Sequence, residues 1–145
     1  MHMEDWKRSF VDKLGHAQSQ WNRRFEETLD TVIVPVFEEM AAFLRTNGFH
    51  VSCPMRQEGR RSHKFELAEN AYVLLIFRAT SIGEFELRTE HFVPGREPTM
   101  NKALCRVAEV NDTWARQQFQ SAMDAFIENL AGSRQAAQVE QLVGV

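Results

Sequence analysis

Along the first third of the chain, apolar residues recur at helical spacing. Trp6, Phe10, Leu14, Ala17, Trp21, Phe25, Leu29, Val32, Val36, Met40 and Phe43 stand three or four residues apart, which holds one stripe on one side of an α-helix. As one straight rod this stretch of about 38 residues would span about 57 Å. That is long for a single domain of 145 residues. Gly15 weakens the rod and Pro35 removes a backbone donor, so the spacing predicts a short leading helix and a longer one bent near Pro35. Arg45 followed by Asn47-Gly48 predicts a basic last turn and a left-handed cap.

The period then changes to two. Phe49, Val51, Cys53 and Met55 alternate with polar residues, and Pro54 consigns this strand to an edge. Gln57 to Arg61 turn the chain, and His63, Phe65 and Leu67 alternate with Lys64, Glu66 and Ala68. Glu69-Asn70 leads into an unbroken apolar run, Ala71 to Phe77. Ser81-Ile82-Gly83-Glu84 turns it back into Phe85, Leu87, Thr89 and His91 alternating with charge. Tight turns between such runs predict an antiparallel meander of four strands. Residues 102–110 fit either a fifth strand or a helix. Asn111-Asp112-Thr113 offers N-cap chemistry for a final helix, whose apolar face runs from Trp114 to Leu130 and stops at Gly132-Ser133. The predicted class is α+β: N-terminal helices, a four- to five-stranded antiparallel meander, and a C-terminal helix on one sheet face. A single domain spans 1–132, with a weakly structured tail over 133–145.

A strand that is apolar on both sides needs cover on both sides. With two-residue loops at 69–70 and 82–83, Phe65 falls opposite Leu74, and Leu74 opposite His91. One face then collects Phe65, Leu67, Tyr72, Leu74, Ile76, Phe85 and Leu87, and the helices are expected there. Val73, Leu75 and Phe77 fall on the other face among charges. Burying each is worth roughly 1.5–3 kcal/mol, so the expectation is a partner surface at Val73, Leu75 and Phe77. A one-residue slip would invert this assignment.

Composition narrows the classes. Apolar residues make up 43% and charged residues 26%, with a net charge of −3, a balance that suits a folded domain and not general nucleic-acid or anionic-membrane binding. Eleven charged residues within the first thirty leave no room for a secretory leader, and no run reaches the roughly twenty apolar residues of a membrane span. A cytoplasmic protein is the expectation, with Cys53 and Cys105 as reduced, buried thiols.

No glycine-rich phosphate loop, nucleophile elbow or HExxH pattern occurs. The five histidines lack metal-ligand spacing, so the expected catalytic, metal and cofactor sets are empty and the reading leans away from an enzyme. One cluster stands out. Arg56, Arg60, Arg61, His63 and Lys64 surround a single hairpin tip with only Glu58 to offset them, a pattern that could hold phosphates or acidic partners. The leading functional expectation is a non-enzymatic protein-interaction module. It would be homo-oligomeric through the Val73/Leu75/Phe77 face or the N-terminal helical arm, or would bind another protein. The alternative is a nucleic-acid or acidic-partner binder through the tip at 56–64. A third is a small-ligand pocket between helices and sheet, lined by Tyr72, His63 and His91.

Overall fold

The computed structural model describes the backbone of residues 2–143 and the side chains of residues 2–133. It is a two-layer α+β arrangement, with one layer of helices lying on one face of an antiparallel sheet. Helix α1 (Met3–Thr28) passes through a π-helical turn (Leu29–Ile33) into α2 (Val34–Arg45). Strands β1 (His50–Val51), β2 (Met55–Gln57), β3 (Arg60–Ala68), β4 (Ala71–Ser81), β5 (Glu84–Phe92) and β6 (Thr99–Arg106) follow. A 3-10 turn (Val107–Glu109) then leads into α3 (Asp112–Val143). The sheet order is β1-β3-β4-β5-β6, with β2 also on the outer edge of β3.

The helical run does not break at Gly15, and the disturbance near Pro35 is a π turn instead of a sharp bend. Pro35 has no N–H, which frees a carbonyl one turn back. The Val34 N–H bonds to the Leu29 carbonyl, five residues away, a widening that absorbs one extra residue. That residue rotates the stripe: Ile33 is fully buried where the plain spacing predicts Val32. The predicted cap is present, with Gly48 at φ +89°. The edge strand before the first hairpin is split in two around Ser52–Pro54, as a proline there requires.

Residues 99–106 form the fourth long strand of the sheet, so the ambiguous stretch 102–110 is strand as far as Arg106 and a 3-10 turn over Val107–Glu109. Asn111 caps α3, its Oδ1 accepting the Trp114 N–H at 2.8 Å. The helix does not stop at Gly132-Ser133. The 93–98 loop clamps it there: Arg96 donates to Asn129 Oδ1 at 2.8 Å and Ser133 Oγ donates to the Pro94 carbonyl at 2.8 Å. Gly132 leaves room for the arginine, since a Cβ on it would stand 3.4 Å from Arg96 Nη2. The helical backbone continues to Val143. The tail expected over 133–145 lies, apart from Ser133, outside the residues whose side chains are described.

The sheet register overturns the expected division of β4. Both turn pairs form as predicted, Ala68 with Ala71 and Ser81 with Glu84. One residue beyond each turn, however, the ladder shifts: Glu66 pairs Tyr72, and Ala79 pairs Phe85. Leu67 and Thr80 are the extra residues, and each such bulge exchanges the two faces of its strand. Phe65 therefore lies opposite Val73, His63 opposite Leu75, and Val73 opposite His91. Val73, Leu75 and Phe77 are fully buried beneath the chain's own helices. Their neighbours there are Phe37, Phe65, Phe85 and Phe119, with ring centroids 5.3–6.3 Å apart.

Candidate functional site

The expected interface at Val73, Leu75 and Phe77 is thus a core, and the face that lacks helices carries Tyr72, Leu74 and Ile76 instead. That face is roofed by its neighbours' long side chains. Lys64 Nζ sits 4.3 Å above the Tyr72 ring and pairs with Glu66 at 3.3 Å. Tyr72 stacks on Phe92 at 4.5 Å, and Arg88 pairs with Glu90 at 2.6 Å. Ile76 is left 7% exposed with no helix above it. Aliphatic stems of charged residues cover apolar surface while their heads stay wet, so this face needs no partner to hide it.

The basic tip is dismantled in the same way. Alternation places Arg56, Arg61 and His63 on the helix side of the sheet. Arg61 is buried, 2.9 Å from Asp30 and 3.5 Å from Glu26, and Arg56 reaches Asp30 at 3.5 Å. Glu26 also accepts the Gly59 N–H at 2.8 Å, so the end of α1 and the π turn after it grip the hairpin tip through one carboxylate each. Lys64 faces the opposite side. Only Arg60 of the five remains exposed with no carboxylate in ion-pair range among the described residues. The five side chains do not form one surface.

His63 has no exposure and packs between Phe37, Phe77 and Phe119 at 4.5–5.7 Å. Neither ring nitrogen has a hydrogen-bond partner. Burial, and secondly the Arg61 charge, push its pKa down to about 3, so the ring is neutral at pH 7. His91 lies on the same face, its pKa lowered by burial, and meets Phe126 edge-on at 6.2 Å. Tyr72 is on the other side of the sheet, so the expected pocket of Tyr72, His63 and His91 has no common wall. Cys105 is half-buried and Cys53 is exposed, contrary to the expected buried pair. Among the described residues no cluster of His, Cys, Asp or Glu could hold a metal ion. Among them too, no helix is long and apolar enough to cross a membrane.

Among the described residues, the longest uncovered apolar stripe lies on the N-terminal half of α1. The helix is anchored at its far end, where Phe25 lies 5.4 Å from Phe85 and Trp21 lies over Gly83, whose φ is +73°. A Cβ at Gly83 would stand 3.6 Å from the indole. The Arg24 guanidinium also lies over the Trp21 ring, 4.6 Å from its centroid. Residues 2–16 are exposed without exception. The apolar stripe nevertheless continues through them: Met3 is 64% exposed, Trp6 51%, Phe10 50%, Val11 64% and Leu14 39%. Trp6 and Phe10 stack at 5.3 Å.

From Met3 to Gln20 this arm is about 27 Å long at 1.5 Å per residue. Beneath its root, Leu14, Gly15 and Gln18 face Thr80, Ser81 and Ile82 across a cleft of about 1050 Å³. A second, more apolar groove of about 590 Å³ runs between α2 and α3, lined by Met40, Phe43, Met123 and Ile127. Glu39 and Arg116 close one rim with a 3.1 Å ion pair. Both hollows are open surface features, and the buried titratable side chains, Arg61, His63 and His91, line neither.

The arm belongs to the stripe visible in the sequence. What spacing alone does not reveal is where the sheet ends beneath it, and so which half of the stripe lacks a floor. No protein-family model matches the chain, and neither do characterised proteins or solved structures.

Proposed function

We propose that this protein is a non-enzymatic protein-interaction module that works as a homo-oligomer, in the cytoplasm, with the arm of α1 as its binding element. One observation carries the reading: an apolar stripe about three turns long, from Met3 to Leu14, lies in line with the core yet stands exposed. A lone helix of this length is marginal in water, since tertiary burial supplies most helix stability. Five large apolar residues between 39% and 64% exposed along one arm exceed what a solvated surface usually shows. The hydrophobic effect favours a state in which the stripe is covered.

A binder of nucleic acid or acidic partners through residues 56–64 has less support, because Arg61 and His63 are buried and Arg56 and Lys64 are paired. Sedimentation equilibrium of the whole chain tests the leading reading. The mass is expected to approach twice 16.8 kDa at micromolar concentration and to return to the monomer value in Phe10→Asp, which weakens association about a hundredfold or more. A monomeric wild-type chain at every concentration overturns the proposal.

A further inference from the structure

The spacing of the uncovered stripe says how two copies would meet. Met3, Trp6, Phe10, Leu14 and Ala17 are separated by three, four, four and three residues, a pattern that reads the same in both directions about Phe10. Turning a second arm end for end therefore lays stripe on stripe. We infer that two copies of this chain pair their α1 arms antiparallel around a two-fold axis at Phe10. This inference rests on the self-association proposed above and adds its geometry.

In that arrangement Phe10 meets the second copy's Phe10, Trp6 meets its Leu14, and Met3 meets its Ala17. Each large side chain at one end faces a smaller one at the other, as knobs need holes. Val11, on one flank of the stripe, comes beside the second copy's Val11. On the other flank, the Lys13 stem of one copy lies along the Trp6 ring of the other, where an ammonium over indole is favourable. A two-fold contact of this kind closes on itself and leaves no patch for a third copy.

Three further features fit. The three-four-four step repeats over eleven residues, so the stripe drifts only about 20° per repeat relative to a straight helix. Two such arms can lie nearly straight along one another. The buried half of the stripe, from Trp21 onward, is already occupied by the sheet, which limits the free overlap to the segment centred on Phe10. The five exposed residues present roughly 500 Å² per copy, so the pair buries on the order of 1,000 Å², the lower bound of a specific interface. A parallel pairing of the same stripes would set Trp6 against Trp6 and crowd both bodies at one end.

Cysteine cross-linking of the full chain tests the geometry, in a Cys53→Ser/Cys105→Ser background and with diamide as oxidant. Phe10→Cys is expected to form a disulfide dimer by itself. Trp6→Cys and Leu14→Cys, each alone, are not, because their counterparts lie about 12 Å away along the axis. Mixed together, those two variants are expected to cross-link while keeping Phe10 intact, so a loss of association in Phe10→Cys does not decide the matter. Self-linking of Trp6→Cys, or no product from the mixture of a dimeric protein, overturns the antiparallel pairing and leaves self-association standing. A monomeric chain overturns both.

Discussion

His63 makes the folded state acid-sensitive in a way that can be calculated. The ring is neutral in the core with a pKa of about 3, against about 6.5 in an unfolded chain. A base with a depressed native pKa leaves the unfolded state binding more protons between those values. Its contribution is therefore complete above pH 6.5 and is lost as pH falls towards 3. Relative to pH 7, the loss is about 2 kcal/mol at pH 5 and about 3 kcal/mol at pH 4. Total stabilities are about 5–15 kcal/mol, so the effect is large.

His63→Leu removes the titrating ring at similar volume. At pH 7 the change is expected to be within about 1–2 kcal/mol. Removing two unsatisfied buried nitrogens stabilises, while losing ring contacts with Phe37, Phe77 and Phe119 destabilises. Urea unfolding at intervals from pH 7 to 5 measures both proteins. His91, depressed in the same direction, is common to the two, so the difference between the curves isolates His63. As pH falls from 7 to 5 the difference in stability is expected to move by about 2 kcal/mol in favour of the variant. Parallel curves would refute the buried, unpaired imidazole.

The bulged register makes its own test: Phe77→Ala is expected to cost about 3–5 kcal/mol and Leu74→Ala distinctly less, an order that reverses if Leu67 and Thr80 are paired in a regular ladder. In the Arg61 cluster, Asp30→Ala strips a buried guanidinium of its nearest carboxylate and is expected to cost about 2 kcal/mol by urea unfolding. Arg61→Met is expected to cost less, since it removes the buried charge itself. Asn111→Ala removes the cap on Trp114 and is expected to lower stability by about 1 kcal/mol.

Much of this architecture was legible because each element carries its own period. The helical stripe, the meander, the Gly48 cap and the Asn111 cap all follow from local chemistry. The division of β4 did not, and the cause is physical. Ala71 to Phe77 is apolar on both sides, so its pattern does not discriminate between registers a residue apart. Two bulges set close to correctly predicted turns then decided which half went inside. The basic tip misled for a related reason. Charges that look clustered in sequence alternate between faces in a strand, and Arg61 and Arg56 were met by Glu26 and Asp30 from a helix some thirty residues away. The arm was legible as a stripe but not as a surface, because whether a stripe is covered depends on where the sheet beneath it stops.

Amide hydrogen exchange across residues 3–17, followed from low micromolar to near-millimolar protein, addresses the arm most directly. An arm paired with a second copy is expected to gain protection steeply with concentration, in step with the dimer population, while the amides of β4 keep theirs unchanged. Arm amides that exchange at unprotected rates at every concentration, or whose protection ignores concentration, would contradict the account.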